Sequence, residues 1–299
     1  PTGAYKALLV VATIIWGFSF VVMKDVVAVL PPAWLLGMRF LFAGALLLVI
    51  LRKRVMRFCS RKVVTYGFIL GVLDFTAFWL QTVGLKRTTP GINAFLTATY
   101  CVLVPFAWWL IARKRPTAFN IVAAIVAVCG IWLVSVSSSG VTLSIGFGEA
   151  MTLGCAVAFA AHIVAVSKFA QKCDALVLTV FQFIAEGALG IIFGAATETF
   201  PGIAAFTPEI IGQMLFLAVF ASVVAFGIQN VSLAHVPPTQ ASLLLSLESV
   251  FGVVFSILLY GEQMTLRLVV GFVLIFAAIV ISETLPLKEK PCRRKTTSS

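Results

Sequence analysis

The chain has 299 residues, of which 61% are hydrophobic and only 11% charged, with a formal net charge of +11 and a mean hydropathy of +1.09. So little charge cannot supply the polar shell that a water-soluble chain of this length wraps around its cores, so most of the surface must face lipid. A soluble enzyme or soluble binding module is excluded, and so is a membrane β-barrel, because the apolar runs do not alternate with polar residues at every second position.

A bilayer core about 30 Å thick takes ~20 apolar residues per helix, and a helix satisfies its backbone polar groups within itself. Apolar runs between charged or Pro/Gly breaks give ten such spans. The first is Ala7 to Met23, and the VVMKDVV that follows offers no small-residue cleavage site, so the span is expected to be retained. Span two, Ala33 to Leu51, holds Arg39 in its outer part, and span three, Val63 to Leu85, carries Asp74 about halfway along in LDFTAFWLQ. The corner GLKRTTPG then leads into span four, Ile92 to Ala112, with span five at Ala118 to Val136. Spans six to ten are Gly148 to Val166, Ala175 to Ala196, Ile210 to Ala234, Ala241 to Tyr260 and Leu266 to Ser282. His162, Glu186 and Glu248 lie inside the sixth, seventh and ninth. The fold class expected is an all-α integral membrane protein.

Basic residues orient the spans. Seventeen fall on one side, in Lys6, the Arg52–Lys62 segment, Arg113 to Arg115, Lys168, Lys172 and the tail, against Lys24, Lys86, Arg87 and Arg267 on the other. Positive charge favours the cytoplasmic side, so both termini, Arg54 and Lys114 are expected there and Ser138 outside. The net charge thus reads as contact with anionic headgroups of a plasma or inner membrane; no basic groove with interleaved aromatics suggests nucleic acid. The six cysteines show no CxxC spacing, so neither a disulfide, a metal site nor a cofactor is expected.

The corner recurs. QTVGLKRTTPGINAFLT from Gln81 matches QNVSLAHVPPTQASLLL from Gln229 without gaps at Gln81/Gln229, Val83/Val231, Leu85/Leu233, Pro90/Pro238 and Leu96/Leu244. The same offset of 148 pairs Thr117 with Thr265 and Tyr100 with Glu248, and nearby offsets align RFLFAGAL with QFIAEGAL and Lys24 with Lys168. The order of matches follows the order of spans, which reads as two copies of a five-helix unit, 1–140 and 141–285, followed by a basic cytoplasmic tail, 286–299. Five is odd, so the second copy enters the membrane from the opposite face, giving the inverted repeat of secondary transporters.

The GLKRTTPGINAFLTATYCVLVP stretch, Arg39–Phe40, IIWGFSFVVMK around Trp16 and LESVFGVVFSILLYGEQMT together resemble the ten-helix EamA branch of the drug/metabolite transporter superfamily, over essentially the whole chain. There are two departures. The family's usual Leu-Glu-Pro-Val-Phe is here Leu247, Glu248, Ser249, Val250, Phe251, and its Gly-Glu-Arg in the first copy is Arg113, Lys114, Arg115. The resemblance implies export of small metabolites or amino acids through a cavity lined by helices one, three, four, six, eight and nine, with five and ten peripheral.

Ionisable side chains inside a bilayer are costly and face a cavity or a partner, which nominates Asp74, His162 and Glu248 as substrate-binding candidates. Asp74, with Phe75, Phe78 and Trp79 around it, suits an ammonium group, or else an interhelical hydrogen bond. Arg39 reads as a helix-pairing residue, and Glu186 has no aromatic surroundings. Position on the implied cavity helices adds Trp16, Ser19, Phe78, Trp79 and Tyr100, and Phe272 on helix ten is expected to face lipid. A membrane-embedded enzyme needs a His/Asp, Ser/His or paired-Asp cluster that two histidines do not form, and a sensor would need an extramembrane domain. The favoured reading is a non-enzymatic transporter that exports, rather than imports, a neutral, zwitterionic or cationic small molecule. Protons are the expected coupling ion, and the protein works as a monomer or homodimer.

Overall fold

A computed structural model describes residues 2–112, 115–135, 145–236 and 238–284. Arg113, Lys114, Val136, Ser138, the 140/141 boundary and the tail with Cys292 lie outside the described residues. What is described is helical, without a strand. In chain order the helices are α1 (Thr2–Val29), α2 (Pro32–Ile50), α3 (Arg52–Phe58), α4 (Arg61–Arg87), α5 (Pro90–Ala98), α6 (Tyr100–Ala112) and α7 (Ala118–Ser135). Then come α8 (Phe147–Phe169), α9 (Ala175–Thr197), α10 (Pro208–Phe216), α11 (Ala225–Leu233), α12 (Pro238–Leu245), α13 (Leu247–Phe255) and α14 (Leu266–Thr284). Eight helical stretches are long and apolar enough to cross a membrane, and Ala118–Val134 and Leu266–Ser282 are shorter apolar helices, so all ten expected spans are present.

Polar punctuation sets their ends. Ser60, Thr89 and Thr207 accept hydrogen bonds from the backbone N–H three residues on, Asp174 accepts from Leu176 and Val177, and Pro90 and Pro208 open their helices where a missing N–H costs nothing. Three expected spans are not continuous α-helices. The fourth is broken at Thr99 and the ninth at Ser246, while Leu217–Val224 in the eighth and Ser256–Tyr260 in the ninth wind as π-helix.

Cross-chain contacts sort the helix ends onto two faces. Arg54 pairs with Asp174 at 2.7 Å, Tyr5 stacks on His235, Tyr66 on Phe169, and Asn120 donates to the Ser282 carbonyl, all at the face carrying the Arg52–Lys62 segment. At the opposite face Lys24 Nζ donates to the carbonyls of Leu85 and Thr88, Glu198 accepts from the N–H groups opening α2, and Glu262 accepts from Gly91 N–H and Thr89 Oγ1 at the start of α5. The corner that separates spans three and four is thus held by a cation on the last carbonyls of α4 and a carboxylate on the first N–H groups of α5, each matching the helix dipole it meets.

In the interior α2 pairs with α9, α7 with α14, α4 with α8 and α9, α1 with α11 and α13, and α5 with α13. Lipid gives apolar helices no hydrophobic reason to associate, so close backbone approach matters. At the α2–α9 crossing a Cβ added to Gly190 would lie 2.6 Å from the Gly37 Cα, a spacing only two glycines allow. Phe272, expected to face lipid, is buried and stacked on Phe95 at 4.2 Å between centroids, because α14 turns that side inward; Val273 is the neighbouring exposed residue.

Candidate functional site

Two hydroxyl-induced breaks build the site. Thr99 Oγ1 donates back to the Leu96 carbonyl at 2.6 Å and Ser246 Oγ to the Leu243 carbonyl at 2.7 Å, diverting bonds from the helix ladder and bending the chain in mid-membrane. Tyr100 follows the first break and Glu248 the second. Both side chains line the same central cavity.

That cavity has about 50 Å³ of space open to water-sized groups, enough for a few waters. Its wall includes Trp16 and Ser19 from α1, Phe78 from α4, Tyr100 from α6, His162 from α8 and Glu248 from α13, so six of the eight expected site residues converge. Trp16 is fixed by its indole N–H, which donates at 2.8 Å to the Ala221 carbonyl in the Leu217–Val224 π segment. The Trp16 ring meets Phe226 edge-on at 5.2 Å, and Phe78 meets Phe159 the same way at 5.1 Å, leaving rigid aromatic faces around the space. Ser19 spends its hydroxyl proton on the Trp16 carbonyl.

Two expected site residues are elsewhere. Trp79 is half-buried on the outer flank of α4 and packs edge-on against Phe193 of α9; a helix turns about 100° per residue, so Phe78 and Trp79 cannot face the same way. Asp74 is fully buried between α4 and α9, where Gln182 Nε2 donates to it at 2.6 Å, and it stands behind the cavity wall instead of in it. Of the group expected to surround an ammonium, Asp74, Phe75, Phe78 and Trp79, only Phe78 is on the cavity wall.

Arg39, expected to pair helices, does so by joining α2 to the eighth span through Ser222, and it also lines the cavity, 1% exposed, so helix two contributes to the wall. Its Nε donates to Ser222 Oγ at 2.8 Å, its guanidinium carbon lies 5.1 Å from the Phe78 ring centroid, and Nη1 and Nη2 have no hydrogen-bond partner. Gln81 and Gln229, the identical residues at the repeat offset, also line the cavity; their recurrence was visible in the sequence, but an uncharged amide carries no desolvation signal strong enough to single it out. Among the described residues no three His, Cys, Asp or Glu side chains gather as metal ligands. What the wall offers is one cation, one carboxyl, a phenol, an imidazole, amides and aromatic faces, a surface suited to binding.

A model of the EamA-like transporter family matches residues 5–136 and 146–284. The chain belongs to the EamA-like transporter family. It is similar to an uncharacterized transporter of Archaeoglobus fulgidus, 29% identical over 273 residues covering 91% of this chain and 83% of the relative. It is also similar to the uncharacterized transporter YvbV of Bacillus subtilis, 27% identical over 95% of this chain and 93% of that one, and to protein PagO of Salmonella typhimurium, 24% identical over 96% and 95%. A chain of known crystal structure superposes with a TM-score of 0.71 at 15% identity, covering 96% of this chain and 99% of its own, a likeness of fold alone. The protein is a multi-pass membrane transporter.

Proposed function

We propose that this transporter is a secondary active exporter that moves small zwitterionic metabolites such as amino acids out of the cytoplasm by alternating access, across the plasma or inner membrane, with both termini cytoplasmic. The observation that carries the reading is the sharing of one cavity by Arg39 and Glu248, from different halves of the chain. The free guanidinium edge of Arg39 suits a substrate carboxylate, Glu248 suits its ammonium, and the aromatic wall of Trp16, Phe78 and Tyr100 takes the apolar part. A purely cationic solute would be repelled by Arg39, so zwitterions rank above cations.

Rocking of two inverted five-helix units supplies the motion. Exchanging the units turns the α4–α8 contact into the α11–α1 contact and leaves the α2–α9 and α7–α14 pairs unchanged, which supports units at 1–140 and 141–285. The test is efflux of labelled amino acids from proteoliposomes at set pH gradients, beside amines of the same side chain that lack the carboxylate. Saturable efflux of the amino acids, weak efflux of the amines and loss of both in Glu248→Gln is expected. Equal handling of acid and amine overturns the zwitterion reading.

A further inference from the structure

Behind the cavity wall lies a second polar cluster that substrate contact does not use. Gly71 lets α4 approach α9 so closely that an added Cβ would sit 2.7 Å from the Gln182 carbonyl and 3.0 Å from the Glu186 nitrogen. One turn further along α4, Asp74 meets Glu186, carboxyl against carboxyl within hydrogen-bonding reach. Both groups are fully buried, neither Glu186 oxygen nor Asp74 Oδ1 has a hydrogen-bond donor among the described residues, and Gln182 donates only to Asp74 Oδ2.

Two carboxylates are acceptors only, so these undonated oxygens can satisfy one another only with a proton on one of the groups. The charge balance agrees. The charged or titratable groups acting on the pair from the elements packed around it are Arg39 of α2 and His162 of α8; α1, α5 and α11 bring none. With one cation available, a singly protonated pair makes the cluster neutral, whereas two ionised carboxyls would leave a net negative charge in a dry interior, at high cost. His162 joins the cluster to the cavity: its Nδ1 stands 3.7 Å from Asp74 Oδ1, its Nε2 has no partner, and the ring belongs to the cavity wall.

We infer that Asp74 and Glu186 hold a single exchangeable proton behind the cavity, and that His162 is the relay by which it passes between the pair and the cavity. The proton leaves the Asp74 carboxylic acid for the His162 Nδ1 lone pair, giving carboxylate and imidazolium. Loss of the Nε2 proton to water in the cavity then restores a neutral ring, and Arg39 with Gln182 holds the remaining carboxylates. The 3.7 Å gap closes by side-chain rotation or through one water. The inference rests on the transport reading for its purpose, since an exchangeable proton beside a solute cavity is what couples export to a proton gradient, but its test needs no transport.

Infrared spectroscopy of the purified full-length protein in lipid nanodiscs at neutral pH reads a protonated carboxylic acid through its carbonyl stretch. One such band should shift when the protein is made with carboxyl-labelled aspartate and also when made with carboxyl-labelled glutamate, because both groups share the proton. It should vanish in Asp74→Asn and in Glu186→Gln and persist in Glu248→Gln. A band sensitive to only one label, or surviving either single replacement, overturns the shared proton; the isotope arm decides this without variants, so a misfolded variant leaves the result readable. Exchange of the band with deuterium should slow at least tenfold in His162→Gln, and an unchanged rate overturns the relay. Absent amino-acid efflux with the band pattern intact defeats the transport reading alone, and normal efflux without the band defeats this inference alone.

Discussion

Tyr100 and Glu248, which occupy matching positions 148 residues apart, line one central cavity from opposite halves of the chain. Each follows a helix break made by a hydroxyl that bonds backwards, Thr99 in one half and Ser246 in the other. One device used twice therefore delivers a donor and an acceptor to the same cavity. We expect the phenol to donate to the carboxylate, so Tyr100→Phe should raise the half-saturating amino-acid concentration about fivefold, the worth of a hydrogen bond of ~1 kcal/mol. Made in a Glu248→Gln background, the same change should add little, since the charged acceptor is already gone. Efflux kinetics of the two single variants and the double variant from proteoliposomes check this; additive effects would mean the two side chains act separately.

Stability should depend on glycines according to what their missing Cβ would meet. Gly190→Ala drives a methyl to within 2.6 Å of the Gly37 backbone, so α2 and α9 must part, at a cost of about 1–3 kcal/mol. Gly212→Ala places its methyl in open space and should be neutral or slightly stabilising. Thermal unfolding in one detergent, followed by tryptophan fluorescence, should show a drop of several degrees for the first alone.

The spans were legible in the sequence because hydropathy over ~20 residues and the punctuation of Ser60, Thr89–Pro90 and Thr207–Pro208 are strong local signals. The Tyr100–Glu248 relation was legible too, since the repeat offset pairs them. Side-chain direction was not. Phe78 and Trp79 are neighbours on α4, and only Phe78 shares the face that carries Asp74 and Gln81 at helical spacing, a distinction lost when both are read as aromatic neighbours of Asp74. Arg39 and Glu186 were undervalued for a related reason: what a buried ionisable group does depends on partners on helices far away in the chain. The π segment at Leu217–Val224, which presents the Ala221 carbonyl to Trp16, leaves no local signature at all.

Carboxylates at the membrane faces should matter by burial. Glu262 is buried and accepts from Gly91 N–H, Thr89 Oγ1 and Ser256 Oγ, so Glu262→Ala strands two donors at the start of α5 and one in the ninth span, and should cost about 1–3 kcal/mol. Arg54 is 49% exposed in its pair with Asp174, and Arg54→Ala should cost less than about 1 kcal/mol after solvent screening. Those carboxylate bonds hold the Arg54 guanidinium above its ordinary pKa, so it stays charged and its small contribution should hold steady from neutral to mildly alkaline pH. Unfolding midpoints at several pH values separate the two variants.

The direction in which α4 turns its aromatic pair gives a test of where the solute binds. Phe78 lines the cavity, lies beneath the Arg39 guanidinium and meets Phe159, whereas Trp79 packs against Phe193 with no access to that space. Phe78→Ala removes an aromatic face from the solute and a cation–π partner from Arg39, each worth on the order of 1 kcal/mol, so the half-saturating concentration should rise about tenfold or more. Trp79→Ala removes only packing at the α4–α9 flank, and should lower thermal stability while leaving the half-saturating concentration within about twofold of the parent. Val273→Ala, on the exposed side of α14, should change neither. Efflux kinetics and unfolding measured on the same three preparations make the two axes independent. Loss of affinity in Trp79→Ala with Phe78→Ala unaffected would mean that the solute sits on the α4–α9 flank, and the central cavity would lose its role.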